Sequence, residues 1–161
     1  MTFRLASDDL QDGARMPQAQ VFNGMGHSGG NVSPHLAWSD PPAGTRSFVV
    51  TAYDPDAPTG SGWWHWVVIN IPAQVQALDR GCGSGQATLP PGALQTRTDF
   101  GRPGYGGAAP PPGAPHRYVF TVHALKADRL DLDEGAGGAM VGFMVHMNSL
   151  GSASLTVTYG A

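Results

Sequence analysis

Residues 47–71 have the sequence SFVVTAYDPDAPTGSGWWHWVVINI, and this stretch decides the fold. Segments 47–53 and 63–71 are rich in β-branched and aromatic residues and are apolar at both odd and even positions. This pattern predicts strands that are covered on both faces, as in the middle of a sandwich. The Asp-Pro-Asp-Ala-Pro run between them predicts a turn. The two strands are therefore expected to run antiparallel, as neighbours joined by a short loop.

Outward from this hairpin the pattern predicts further strands and one helix. Weak strand signals occur at 3–6 and 20–22, and clearer ones at 36–38, 118–125 and 154–159. A helix is expected at about 138–150, following Asp133 and Glu134, where negative charge favours a helix N-terminus. Its residues Met140, Phe143, Met144 and Met147 share a face at helical spacing and are interpreted as core packing. Residues 79–115 are the longest weakly patterned stretch, and such a loop in a compact domain is usually either functional or disordered.

The composition agrees with a mainly β protein. The 161 residues are expected to form a single domain, 1–161. Gly (23) and Pro (14) are abundant, whereas charged residues make up only 13 % of the chain. Lys126 and Glu134 are the sole residues of their types, which excludes a helix bundle because helix surfaces are normally built from Lys and Glu. The hydrophobic share of 41 % is too high for a disordered chain.

Charge and cysteine content limit the partners and the compartment. The net charge is −3 and the basic residues are scattered, so nucleic acid is not an expected partner. The single cysteine, Cys82, cannot form an intrachain disulfide or a cysteine-based zinc site. The chain starts without the apolar core of a signal peptide and contains no run long enough to span a membrane. A cytoplasmic location is the expectation.

The hairpin also places the first candidate site residues. Asp54 ends one predicted strand and His65 lies at the start of the next, so both are expected at the same sheet edge. His116 begins another strand, with Tyr118 on its own side by period-two alternation. The sequence leaves open whether His116 reaches the mouth that Asp54 and His65 share.

Three ordered motifs give a resemblance to a known family. They are the run Asp54–Pro58, the Trp-x-His of Trp63–His65 and the triplet His116–Tyr118. In this order and spacing the chain resembles the phosphatidylethanolamine-binding protein family. Further segments are similar to its bacterial branch, often labelled Raf-kinase-inhibitor-like: Asn31–Pro34, Gln95–Phe100, Gly142–Phe143 and Ser152–Ser154. The resemblance implies a two-sheet antiparallel β-sandwich with one or two short helices.

The resemblance also implies a small cavity at one edge that binds phosphate-like anions. The family's binding positions fall on Asp54, Ala57, Pro58, Trp63, His65, Gly107, Pro111, His116 and Tyr118. Asp54 is expected to make the two histidines easier to protonate. The amides of Gly106 and Gly107 are expected to donate to the ligand. Trp63 offers an apolar wall or a cation–π face. At such a rigid turn, the Asp54–Pro55 and Ala57–Pro58 bonds are candidates for cis-proline.

Three functions follow from these residues. The leading hypothesis is a binding protein for a phosphorylated or otherwise anionic small molecule, which regulates a partner protein. The alternatives are a kinase- or protease-inhibitor-like module and an acid–base enzyme, a cyclase or hydrolase that uses Asp54, His65 and His116. The same three residues resemble a facial triad for iron, but the family implies no metal and no cofactor. Relatives suggest a homodimer, with the apolar C-terminal segment as its interface.

Overall fold

The computed structural model describes residues 1–160, and its elements are mainly strands. One α-helix and one short 3-10 helix, Gln18–Gln20, accompany them. The elements in chain order are β1 (Arg4–Ala6), β2 (Leu36–Ser39), β3 (Ser47–Asp54), β4 (Trp63–Pro72), β5 (Ala77–Leu78), β6 (Leu94–Gln95), β7 (His116–Leu125), α1 (Gly138–Asn148) and β8 (Ser149–Tyr159). The predicted fold class, a mainly β protein with few helices, is confirmed.

The strands form two antiparallel sheets. The larger has the order β6-β4-β3-β7-β8 and the smaller has the order β1-β2-β5. β3 lies at the centre of the larger sheet between β4 and β7. Asp54 pairs with Trp63 at the turn end of the β3–β4 hairpin, so the predicted antiparallel pairing of segments 47–53 and 63–71 is confirmed.

Both faces of the larger sheet are covered, which explains why β3 and β4 carry apolar residues at both odd and even positions. Phe48 and Val50 face one core, which they share with Leu36 of β2 and Leu78 of β5. The intervening Val49 belongs to a second core on the opposite face. Further members of this second core come from β4 and from α1: Val67, Ile69, Val141 and Val145. The larger sheet is therefore the middle layer of the molecule.

The helix occupies the expected stretch, but the face it buries is not the predicted one. Val141 and Val145 are buried, whereas Met140, Phe143 and Met147 are 52 %, 60 % and 57 % exposed. The interpretation of the Met140, Phe143, Met144 and Met147 stripe as core packing is wrong, since only Met144 is partly buried. The reason is that apolar residues surround the whole helix, so periodicity cannot tell which side packs. With 11 residues, α1 is too short to cross a membrane, and no helix within residues 1–160 could do so.

The long segment 79–115 contains little regular structure beyond β6, yet it is held to the sheets by specific hydrogen bonds. The Tyr105 amide donates to the Gly83 carbonyl (2.9 Å), and the Tyr105 hydroxyl donates to the Gln20 carbonyl (2.7 Å). The Gly106 amide donates to the carbonyl of His65 on β4 (2.9 Å). These bonds hold the following Ala-Pro-Pro-Pro run beside the turn end of the β3–β4 hairpin.

Candidate ligand-binding site

A pocket of about 400 Å³ opens where β3 ends and where β4 and β7 begin. This volume is at the small end of the range for ligand sites in proteins. Nearly all of the positions predicted from the sequence line it: Asp54, Ala57, Pro58, Trp63, His65, Pro111, His116 and Tyr118. Gly107 does not. The remaining lining residues are Met25, Thr59, Phe100, Ala109, Pro110 and Pro112.

Asp54 and His116 form a buried pair at the base of this pocket. His116 Nδ1 lies 2.7 Å from Asp54 Oδ2. The other carboxylate oxygen, Oδ1, accepts from the Asp56 amide at 2.7 Å. The His116 side chain is 11 % exposed and the Asp54 side chain is 3 % exposed. A carboxylate only accepts, so Nδ1 carries the proton and the carboxylate fixes the ring with Nε2 as its free nitrogen. His116 thus reaches the mouth of the sandwich, and it is His116 rather than His65 that bonds to Asp54.

His65 is neutral and presents an acceptor. Its Nδ1 lies 2.8 Å from the Gly106 carbonyl oxygen, so Nδ1 must be the protonated nitrogen. Burial lowers the pKa of His65, and this outweighs the opposite influence of the Gly106 carbonyl, Asp54 and Asp99. Nε2 therefore bears a lone pair. The expectation that a nearby carboxylate makes both histidines easier to protonate is wrong for His65, because desolvation has the larger effect.

Tyr118 supplies a hydroxyl without a partner. Its oxygen is buried and meets no partner with good hydrogen-bond geometry within residues 1–160, while the Asp54 carboxylate and the Ala109 backbone lie close enough to influence it. Burial, followed by the charge of Asp54 and the hydrogen-bonding influence of the same carboxylate, raises the pKa of this phenol, so the group stays protonated. A Tyr hydroxyl that is buried in a pocket without a partner has its donor available for a ligand.

The Gly106–Gly107 loop supports the pocket instead of donating to it. Its two amides are already used: Gly106 donates to His65, and Gly107 donates to Asn31 Oδ1 at 2.8 Å. Gly107 packs so closely that an added Cβ would lie 2.1 Å from the Gln20 carbonyl oxygen. The expectation that both amides donate to a ligand is wrong because the protein itself occupies them.

The pocket walls are apolar and include residues that sequence reasoning missed. The ring of Phe100 makes edge contacts with Trp63 and His65, each at 5.4 Å between centroids. Met25 stands at the mouth, 67 % exposed. Phe100 ends a segment that carried the family resemblance, and the prolines 110–112 were visible as a run. Met25 gave no signal, because its loop is distant in the chain.

The turn 54–58 is rigid without a cis peptide bond. Both the Asp54–Pro55 and the Ala57–Pro58 bonds are trans, like every peptide bond within residues 1–160, so the cis-proline expectation is wrong. The turn is instead closed by side chains, since Asp54 caps the Asp56 amide. Arg117 holds Asp56 with its guanidinium (2.9 Å) and its amide (2.8 Å), and this pairing lowers the pKa of Asp56 to about 2.

Within residues 1–160, no group of three or more His, Cys, Asp or Glu side chains is arranged to hold a metal ion. Asp54, His65 and His116 all line the pocket, yet they do not converge on a common point. Both oxygens of Asp54 accept from protein donors, and the protonated Nδ1 atoms of the two histidines donate to protein oxygens.

Comparisons with known proteins agree on one family. The family model described as phosphatidylethanolamine-binding protein matches residues 6–160. The chain is 65 % identical to the UPF0098 protein YbhB of Escherichia coli over 97 % of this chain and 99 % of that one. It is 50 % identical to the UPF0098 protein YbcL of the same organism, over 98 % and 87 %. The solved structure of E. coli YbcL, described as a new member of the mammalian PEBP family, superposes with a TM-score of 0.96 at 49 % identity, covering 99 % of this chain and 98 % of that one.

Proposed function

The chain belongs to the phosphatidylethanolamine-binding protein family, and on this premise we propose that its pocket binds a small phosphorylated or otherwise anionic molecule. The observation that carries the proposal is the unpartnered Tyr118 hydroxyl beside the His116–Asp54 pair in one cavity of about 400 Å³. Such unused polar groups at the base of an apolar pocket are the usual sign of a ligand site.

Each group has a role in this proposal. Tyr118 donates to an oxygen of the ligand, and His116 Nε2 faces the same oxyanion. Asp54 fixes this orientation of the ring by accepting from Nδ1–H. Trp63 and Phe100 pack against the apolar or ammonium-bearing part of the molecule. No Lys or Arg lines the pocket, so recognition depends on hydrogen bonds more than on net charge.

The experiment is thermal unfolding with and without millimolar O-phosphoethanolamine. The ligand is expected to raise the Tm of the wild type, because binding to the folded state alone stabilises it. The variant His116→Ala is expected to lose this rise. His146→Ala, which alters an exposed histidine on α1, is the matched control and should keep it. An unchanged Tm in the wild type would contradict the proposal.

Acid–base catalysis is a second candidate, favoured by the 2.7 Å contact between His116 Nδ1 and Asp54 Oδ2. This arrangement fixes the tautomer and leaves Nε2 toward the pocket as a general base. Turnover of a small ester or a cyclising substrate that falls in Asp54→Asn by a much larger factor than ligand affinity does would favour an enzyme over a binding protein.

We also propose that two copies associate through α1 and β8. Met140, Phe143 and Met147 project from α1 and are exposed. Residues 135–160 include no Asp, Glu, Lys or Arg. A large apolar surface without charge is typical of interaction sites, and a second copy can cover it with no charge left unpaired.

The edge of β8 adds to this surface. Residues 13–16 bond to the outer edge of β8 at Thr156 and Thr158. Strand alternation turns the backbone groups of Ser152 and Ser154 to the same side, where no segment within residues 1–160 pairs with them. An open edge of this kind is a template for antiparallel pairing with an identical strand about a two-fold axis.

Sedimentation equilibrium at micromolar concentration tests this association. The wild type is expected to be a dimer and Phe143→Glu a monomer. Gln74→Glu introduces the same charge at a distant exposed position and should remain dimeric. A monomeric wild type would overturn the proposal.

Regulation of a partner protein and a cytoplasmic location complete the proposed function. The buried free thiol of Cys82, whose pKa burial raises to about 11, is typical of a protein kept in a reducing compartment. Pull-downs that compare the wild type with His116→Ala test whether a partner depends on the pocket, and cell fractionation tests the location.

A further inference from the structure

We propose that the pocket selects an oxyanion that still carries a proton, such as a hydrogen phosphate monoester, over a fully ionised isostere such as a sulfate monoester. This selectivity rests on the proposed function, and it narrows the proposed ligand to one chemical class, the protonated oxyanions. The feature that carries it is the distribution of donors and acceptors around the pocket.

The first step concerns His65. Its Nδ1 is committed to the Gly106 carbonyl at 2.8 Å, and Nε2 makes no hydrogen bond to the protein. A ring that donates through Nδ1 and stays neutral has only a lone pair at Nε2. An oxygen of the ligand that faces Nε2 must therefore be a hydroxyl. An unprotonated oxygen there would place two lone pairs against each other.

The second step concerns the scarcity of positive charge. The pocket contains no Lys or Arg, and the loop amides of Gly106 and Gly107 are used by His65 and Asn31. The other charged or titratable groups around His65 are Asp54 on β3, Asp99, and His116 and Tyr118 on β7. Two of these four are carboxylates, so a dianion would meet repulsion with little compensation.

The third step follows from the chemistry of the two esters. A phosphate monoester has a second pKa of about 6 and can offer one P–OH to His65 Nε2 while its other oxygens accept from Tyr118. A sulfate monoester has the same tetrahedral shape but no proton at any pH near neutral. Sites that pair with a ligand hydroxyl reject analogues without one strongly, because a buried polar group is left unpaired.

Isothermal titration calorimetry with O-phosphoethanolamine and its isostere ethanolamine O-sulfate tests the proposal. At pH 6 the phosphate ester is expected to bind at least about tenfold more tightly than the sulfate ester. At pH 8 the free phosphate ester is a dianion, so it should bind more weakly, and the complex should take up one proton as it forms. Proton uptake is measured as a dependence of the binding heat on the ionisation enthalpy of the buffer. Equal affinities for the two esters, or binding at pH 8 without proton uptake, would overturn the selectivity and leave the anion site standing. Binding of neither ester would overturn the proposed function itself.

Two variants separate the roles of the polar groups. Tyr118→Phe removes the donor, so it should lower the affinity for both esters by a similar factor and leave the ratio of the two affinities unchanged. His65→Gln replaces the lone pair with an amide that can also donate, so the ratio should fall toward one. If His65→Gln does not fold, the comparison of the two esters on the wild type still decides the question. A ratio unchanged in folded His65→Gln would assign the selectivity to another group and contradict the proposal.

Discussion

Asp54 and His116 are 62 positions apart in the chain, yet Asp54 Oδ2 and His116 Nδ1 lie 2.7 Å from each other. Asp54 ends the central strand β3, and His116 starts β7, which runs antiparallel beside it. The end of one strand and the start of its antiparallel neighbour lie at the same sheet edge. The polar base of the pocket is therefore a consequence of the sheet topology.

Asp54→Asn tests this pair. Asp54 accepts from His116 Nδ1 and from the Asp56 amide, and the single side-chain oxygen of Asn can replace only one of these contacts, so we expect the chain to fold with some loss of stability. The carboxylate that holds the His116 ring in place is lost, and affinity for O-phosphoethanolamine should fall about tenfold, since hydrogen bonds to charged groups contribute about 1.5–3 kcal/mol. Calorimetry measures the affinity. Asp128→Asn, which changes an exposed carboxylate that pairs with Arg46, should bind like the wild type.

The position of Asp54 and the alternation of β7 could be predicted from the sequence, but the chemistry of His65 could not. Two strands joined by a short loop are expected to pair antiparallel, and this placed Asp54 and His65 at the same sheet edge. The Nδ1 bond of His65 depends on a carbonyl 41 residues away in an irregular loop, where no periodicity signals contact. The wrong assignment of Met140, Phe143 and Met147 has a related cause, because an apolar pattern reports hydrophobicity and not which partner covers it.

Acid is expected to destabilise the fold through its buried histidines. Burial lowers the pKa of His65, and it lowers that of His123 from 6.5 to about 4. The unfolded chain therefore binds more protons, so stability is complete above pH 6.5 and falls as the pH drops toward 4. The slope is at most about 1.4 kcal/mol per pH unit for each histidine.

Urea unfolding at several pH values measures this slope. His123→Gln should make it shallower between pH 6.5 and 4 while leaving the plateau above pH 7 flat. The Asp56–Arg117 pair acts in a different window, because the pKa of Asp56 is lowered from 3.8 to about 2 and its contribution is lost only as the pH falls through that range. A stability that is constant from pH 7 to 4.5 would contradict the assignment of neutral histidines.

Gly107→Ala is expected to be strongly destabilising. The added Cβ would lie 2.1 Å from the Gln20 carbonyl oxygen and 2.6 Å from the Phe22 amide nitrogen, and neither backbone atom can move without shifting its segment. Overpacking of this kind costs about 1–3 kcal/mol or more. Gly142→Ala is the matched control, since a Cβ there meets nothing within 4 Å and Ala in a helix is favoured by about 1 kcal/mol. The two changes should move the urea midpoint in opposite directions.

Phe100→Ala tests whether the apolar wall contributes to recognition. Phe100 stacks on Phe22 at 4.7 Å and contacts Trp63 and His65 at 5.4 Å. Removing the ring should lower the affinity for hexyl phosphate several-fold, because an alkyl chain packs on this wall at about 25 cal/mol per Å² of buried surface. Affinity for O-phosphoethanolamine should change less, since its two-carbon chain covers less of the ring and its oxyanion binds at Tyr118, His116 and His65. Calorimetry with both esters measures the difference, and Gln74→Ala, at an exposed position outside the pocket, serves as the control. An equal loss for the two esters would mean that Phe100 acts only by holding His65 in place.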